Sequence, residues 1–224
     1  MSAQPAGPDA AVPPDWRAPG ELELTPILRA ALDAFSEAGY HGTSVRDIAS
    51  RVGVTVPALY YHHENKEAIL FSLLDTSITR LHGLCLAAIA DAADTPQARF
   101  LNLVECVVIY MANAGKSARL DDEIRVLSPE LRKIYSAKRH EIETMFVQVI
   151  ESGVQTGVFR VTSPADTARA LLGMYQAIPT WFQPGGRLQA PELARRYKDI
   201  SAHTVGAPPA VITMARARLR PGPG

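Results

Sequence analysis

Four hydroxyl–proline pairs set the architecture of this 224-residue chain: Thr25-Pro26, Thr95-Pro96, Ser128-Pro129 and Ser163-Pro164. A Ser or Thr at the N-cap accepts an otherwise orphaned backbone N–H. A proline just after it loses no hydrogen bond and has its φ already set. Apolar residues at three- and four-residue spacing follow each pair, the period of a half-buried helix. Asp166, three residues after Ser163, adds an acidic variant of the capping box. Asn-Gly hairpin turns and sustained alternation are both missing from the sequence, so no strand is expected. The chain reads as all-α, with about nine helices over 26–38, 45–52, 56–62, 66–90, 96–113, 117–126, 129–156, 164–182 and 190–205.

The two ends read differently. Residues 1–23 are rich in Pro, Gly and Ala and are expected to be a disordered tail. Residues 207–224, with Arg216, Arg218 and Arg220, are expected to be a flexible one. No uninterrupted apolar run approaches the ~20 residues that cross a bilayer, and no basic-then-apolar leader opens the chain, so a cytoplasmic protein without a membrane partner is expected. Cys85 and Cys106 sit in apolar helical contexts and read as core thiols rather than a disulfide.

Between the tails, the stretch GVTVPALYYHHENKEAIL from Gly53 carries the chemistry. A Gly turn joins helices 45–52 and 56–62, and Ile48, Ala49, Val52, Val54 and Leu59 form a shared apolar seam. This is helix-turn-helix grammar, in which the second helix presents its N-terminus outward, toward a DNA major groove in DNA-binding examples. Ser44 caps the first helix of the pair, with Asp47 at the third position, and Thr55 caps the second. Pro57 sits where its missing N–H costs nothing. Tyr60, Tyr61 and His62 are too many for so short a helix to hide, although one tyrosine is expected to close the core. Their O–H and N–H groups suit phosphate oxygens. Lys66 opens the next helix against that helix's dipole, as if answering an outside anion.

Residues ILRAALDAFSEAGYHGTSVRDIASRVGVTVPALYYHHENKEAIL, from Ile27 to Leu70, resemble the DNA-binding domain of the TetR family of regulators. The apolar first helix, the Gly-aromatic turn, the Asp-Ile-Ala triplet, Gly-Val, Leu-Tyr and Asn-Lys-Glu recur in order and at the family's spacing. The resemblance implies a three-helix DNA-binding domain over 24–70 and a ligand-binding and dimerisation domain over 71–206. It implies a base-reading role for Arg46 and base-facing positions for Val56 and Pro57, with apolar Ala58 beside them. Ser44, Thr55, Tyr60, His62 and Lys66 match phosphate-contacting or positioning sites, with Tyr61 beside them. Arg46 suits a bidentate contact to guanine, and the apolar trio suits a thymine methyl. There are departures. His63 replaces the usual apolar residue, so it either packs neutral or faces phosphate. ELELTP precedes Ile27 instead of a basic arm. Four basic and five acidic side chains lie between 26 and 70, so local donors and helix N-termini must do more than a broad positive field.

The resemblance further implies a homodimer on double-stranded, palindromic DNA, released by a small-molecule effector. Helices 164–182 and 190–205 would pair with their copies through Leu171, Leu172, Ile178, Leu193, Tyr197 and Ile200. The same residues also fit an internal core. Apolar, Met and aromatic side chains on three helices, Val104, Val108, Met111, Tyr135, Met145, Tyr175 and Trp181, fit either a ligand cavity or ordinary core. TWFQPGG and RLQAPELARRY are similar to the C-terminal segment of acyl-CoA-responsive members, which points to an acyl-CoA thioester. Arg125, Arg132, Lys133 and Arg139 are cations available to its phosphates.

Other classes fit less well. Neighbouring His62 and His63 point about 100° apart on a helix, and no Cys/His cluster or HExxH motif is present, so no metal site is expected. Phosphate loops and nucleophile elbows are missing from the sequence, so neither an enzyme nor a cofactor is expected. A helical adaptor that binds protein instead of DNA is the alternative from another class, and an activator is the alternative within the family.

Overall fold

The computed structural model describes residues 14–216. The described chain is helical throughout: α1 (Pro26–Gly42), α2 (Val45–Val52), α3 (Val56–His62), α4 (Lys66–Ala90), α5 (Pro96–Asn113), α6 (Gly115–Arg119), a 3-10 turn (Leu120–Val126), α7 (Pro129–Gln155), α8 (Pro164–Gln176), α9 (Ile178–Trp181), α10 (Ala190–Thr204) and α11 (Pro209–Arg216). Caps explain the starts. Thr25, Thr95 and Ser163 each accept a backbone N–H three residues on, from Leu28, Ala98 and Asp166. Ser128 makes no such bond; its own N–H donates to the Glu67 carboxylate instead. Gly39, at φ 72° and ψ 168°, interrupts α1 where a stop is expected, and helical turns resume as far as Gly42. The predicted 164–182 helix is divided. Pro179 lacks the N–H that would reach back to Tyr175, so the ladder ends and α9 starts afresh.

Helix α5 is the centre of the larger domain. From Phe100 to Tyr110 every residue but Asn102 is buried, as befits a helix surrounded on all sides. Helices α4, α7, α8 and α10 pack around it, with α10 making the most extensive contact. α4 belongs to both halves of the molecule: its start packs on α1, and its later turns pack on α5 and α7. By length and composition α4 could cross a membrane, yet nine of its residues are buried here in core packing. Cys85 and Cys106 are free thiols buried between α4 and α5, and the neighbouring Cys85 and burial push the Cys106 thiol well up.

Both expected tails need correction. Residues 14–25 are laid along α4, and Trp16 is buried. Residues 209–216 form α11, which packs on α10 with Ala207, Val211 and Ala215 buried. Apolar residues thinly spread among prolines carry too weak a periodic signal to announce such docking. The remainder of both expected tails, 1–13 and 217–224, lies outside the described residues.

Candidate nucleic-acid interface and ligand cavity

The small head is a three-helix unit held by Leu28, Phe35, Ile48, Ala49 and Leu59, all buried. A capping box builds the start of α2: Ser44 Oγ accepts from Asp47 N–H, and Asp47 Oδ2 accepts from Ser44 N–H at 2.8 Å. The Ser44 hydroxyl, which donates to the same Oδ2 at 2.7 Å, and then the Ser44 N–H hold the Asp47 carboxyl below its ordinary range. Gly53 turns the chain at φ 76°, ψ 29°, a left-handed conformation that costs glycine little. Thr55 then caps α3 by accepting from Ala58 N–H, and Pro57 occupies its first turn.

That turn faces out. Thr55, Pro57 and Ala58 are exposed and Val56 is half-buried. Tyr60 is 46% exposed and Tyr61 87%, so neither tyrosine closes the core; Leu59, fully buried, does. Tyr61 meets His62 edge-on at 5.4 Å. Arg46 is exposed on α2. Arg51 is engaged with Glu37 at 2.6 Å, whereas no described residue pairs with Arg46. Asp33 is likewise turned aside, paired with Lys116. Asp33, Glu37 and Asp47 are therefore all engaged within the protein.

Two sequence expectations resolve differently. Lys66 does not wait for an external anion: its Nζ donates to the Tyr40 and Thr43 carbonyls at 2.8 Å each and lies 4.2 Å over the Tyr40 ring. It satisfies orphan carbonyls at the end of α1. His63 packs inward, with Nδ1 3.5 Å from Ser72 Oγ. Burial lowers its pKa, and the neighbouring His62 lowers it further, so it is neutral at pH 7.

In the larger domain a cavity of about 140 Å³ opens between α4, α5, α7 and the α8–α9 break. Leu74, Ser77, Ile78 and Leu81 give it one face of α4, and Val107, Tyr110 and Met111 give it a strip of α5. Its polar end gathers Asp121, Tyr135 and Arg139. The Tyr135 hydroxyl donates to Asp121, and Arg139 lies 3.2 Å from the same carboxylate. Burial first and the Asp121 charge second push the Tyr135 phenol well up, so it remains a donor at neutral pH. Tyr110 and Ser77, bonded through their hydroxyls at 2.8 Å, also line the cavity.

Of the expected lining residues, the cavity includes Met111 and Tyr135 only. Val104 and Val108 are fully buried core and do not line it. Tyr175 is buried with its hydroxyl bonded to Ser201 at 2.7 Å. Met145 lines a separate surface pocket, and Trp181 is 48% exposed. The spacing 74, 77, 78, 81 was the available signal for the α4 wall. Arg139, considered for coenzyme phosphates, is already neutralised by Asp121; Arg132 donates to the Arg125 and Leu127 carbonyls.

The expected pairing residues also divide. Leu171, Ile178 and Leu193 are buried within the subunit and not free for a partner, and Leu172 is half-buried and lines the cavity. Tyr197 is half-buried and Ile200 is 45% exposed. The outward side of α8 and α9 is instead Ala170, Gly173, Ala177 and Trp181.

One segment touches both sites. Ser117 and Asp121 line the cavity, while Lys116 pairs with Asp33 on α1 and Glu123 Oε1 accepts from Tyr40 N–H at 3.4 Å. Ser128 N–H, just beyond it, donates to Glu67 at the start of α4.

This outward helix pair above a small polar-ended cavity has relatives. Residues 27–73 match the family described as bacterial regulatory proteins, tetR family, and residues 93–205 match the tetracyclin repressor-like C-terminal domain. The chain belongs to the TetR family of transcriptional regulators. It is 26% identical over 186 residues to the helix-turn-helix-type transcriptional repressor KstR2 of Rhodococcus jostii strain RHA1, covering 82% of this chain and 91% of that one. Its fold is similar to PfmR, a TetR family transcriptional regulator from Thermus thermophilus, at TM-score 0.72 and 30% identity, over 81% of this chain and 97% of that one. It is also similar to AibR in complex with isovaleryl coenzyme A and operator DNA, at TM-score 0.71 and 25% identity, over the same shares of 81% and 97%.

Proposed function

We propose that this chain is a repressor that binds a palindromic operator as a homodimer and is released when a small apolar or acyl-CoA-type ligand fills the cavity. The exposed amino end of α3, with Tyr60, Tyr61 and an unpaired Arg46 nearby, carries the reading. Arg46 reads a base, and Val56, Pro57 and Ala58 make apolar contact. Ser44, Thr55, Tyr60, Tyr61 and His62 hold phosphates. Lys66 contributes indirectly, by fixing α1 to α4. The KstR2 relative, named a repressor, and AibR, solved with isovaleryl coenzyme A and operator DNA, support the same reading. Such a regulator works in the cytoplasm, where its operator is.

Two copies pair through the outward side of α8, α9 and α10. Gly173 and Ala177 allow close approach there, and Trp181 and Ile200 supply apolar area. A two-fold pair sets its α3 helices ~34–36 Å apart on one DNA face. A ligand pressing on Asp121 and Tyr135 shifts the 3-10 turn, which grips α1 through Glu123 and borders the Ser128 contact to α4. Ligand therefore weakens operator binding, and operator weakens ligand binding by the same factor.

Selection from random duplexes with the full-length protein tests this. Enriched sites are expected to be palindromic, with half-sites one turn apart, and short-chain acyl-CoA is expected to release them. Arg46→Ala is expected to cost about 1–3 kcal/mol and to flatten the preference at one base pair per half-site. Recovery of no enriched sequence would favour the protein-binding adaptor.

A further inference from the structure

Residues 14–25 form a second connection between the head and the ligand domain. From Thr25 the chain runs back along α4 toward that helix's far end. The Leu22 carbonyl accepts from Arg29 on α1 at 3.3 Å. Leu22 and Glu23 lie beside Asp75, Thr76 and Thr79. Next, the Pro19 carbonyl accepts from Arg80. At the end Trp16 is buried, and its Nε1–H donates to Asp91 Oδ2 at 3.3 Å. Arg17 donates to the same oxygen at 2.6 Å and stacks 3.7 Å over the Trp16 ring. Its Nε is 3.3 Å from Glu105 Oε1, an atom that no hydrogen bond reaches. Glu105 in turn is bonded to Lys198 of α10 at 2.7 Å.

The mechanical consequence follows from having two links. α4 is the covalent link between the halves, braced at α1 by Lys116 and Glu123, and the head could still swing about that hinge. A second link, lying alongside α4 for about 24 Å at 1.5 Å per residue and anchored on α4, α5 and through Glu105 on α10, resists that swing. It also borders the cavity region: Tyr110 and Ser117, which line the ligand cavity, also line the small space beneath Pro19, Gly20 and Leu22.

We propose that residues 14–25 are a strap that fixes the orientation of the DNA-binding head against the ligand domain, with Trp16 and Arg17 as its positioning residues. Released, the head samples more orientations, and DNA must then select among them. The consequence for DNA rests on the regulatory reading; the mechanical role does not.

Hydrogen exchange and operator binding on the full-length chain test both parts, using Arg17→Gln and Trp16→Ala. Expected are exchange raised at least tenfold across residues 16–33, including the first turns of α1, unchanged exchange in α7, and operator affinity lower by about tenfold, within the usual range of couplings between sites. Should Trp16→Ala fail to fold, Arg17→Gln alone decides. Raised exchange confined to the residues beside position 17 overturns the strap, as does operator affinity within twofold of the unaltered protein once strap exchange is raised. If the unaltered protein binds no DNA, the regulatory reading fails and α1 exchange alone decides the strap.

Discussion

Gly153→Ala is expected to destabilise the ligand domain by about 3 kcal/mol, lowering its urea midpoint sharply. A Cβ at this buried position on α7 would stand 2.0 Å from Phe159 Cδ2 and 2.5 Å from its Cε2. Phe159 has nowhere to go. It is 2% exposed and meets the Phe100 ring at 5.2 Å, and its N–H is bonded to the Gly153 carbonyl at 2.9 Å. Alanine's better helix propensity returns only about 1 kcal/mol. Gly83→Ala on α4 is the control, because nothing lies within 4 Å of its added methyl. It is expected to leave the midpoint unchanged or raise it. Equal midpoints for the two variants would show that the Phe159 ring can be displaced freely.

Lys198→Met is expected to cost about 3 kcal/mol, the low end for breaking a buried ion pair. The Lys198 and Glu105 side chains are only 7% and 3% exposed and bond at 2.7 Å. Removing the ammonium leaves a carboxylate in the core with only Arg17, at 3.3 Å, to answer it. Lys198→Met combined with Glu105→Leu is expected to recover most of the loss, because a buried pair replaced whole by apolar side chains is often neutral. Chemical denaturation of the single and double variants measures the difference. A double variant no more stable than the single would mean that packing volume, rather than orphaned charge, sets the cost.

The helices and their starts were legible because caps and apolar period are local signals. Thr25, Ser44, Thr55, Thr95 and Ser163 all cap as their sequence context demands. What escaped depends on neighbours distant in the chain. Lys66 looks frustrated beside its own helix dipole until the carbonyls of Tyr40 and Thr43 arrive from α1. Periodicity marks an inward side but not which inward space it meets, so Val104 and Val108 were indistinguishable from Val107, which lines the cavity. The outward side of α8 is silent in the sequence for a related reason. Ala170, Gly173 and Ala177 carry almost no apolar signal, whereas the conspicuous Leu171 and Ile178 are spent inside the subunit. Pro- and Gly-rich composition suggested disorder for residues 14–23, and one tryptophan outweighed it by finding a site 75 residues away.

The placement of the two tryptophans makes this protein its own optical instrument. Trp16 is enclosed at the far end of α4, and Trp181 stands half in solvent on the turn next to Pro179 and Thr180, which line the cavity. In the lone subunit one indole is dry and the other wet, so their emissions fall at separate wavelengths, and the proposed pairing would cover Trp181 and draw the two together. Shielding from iodide then separates coming together of subunits, sensed at Trp181, from loosening of the amino-terminal segment, sensed at Trp16, in one cuvette and without an added dye.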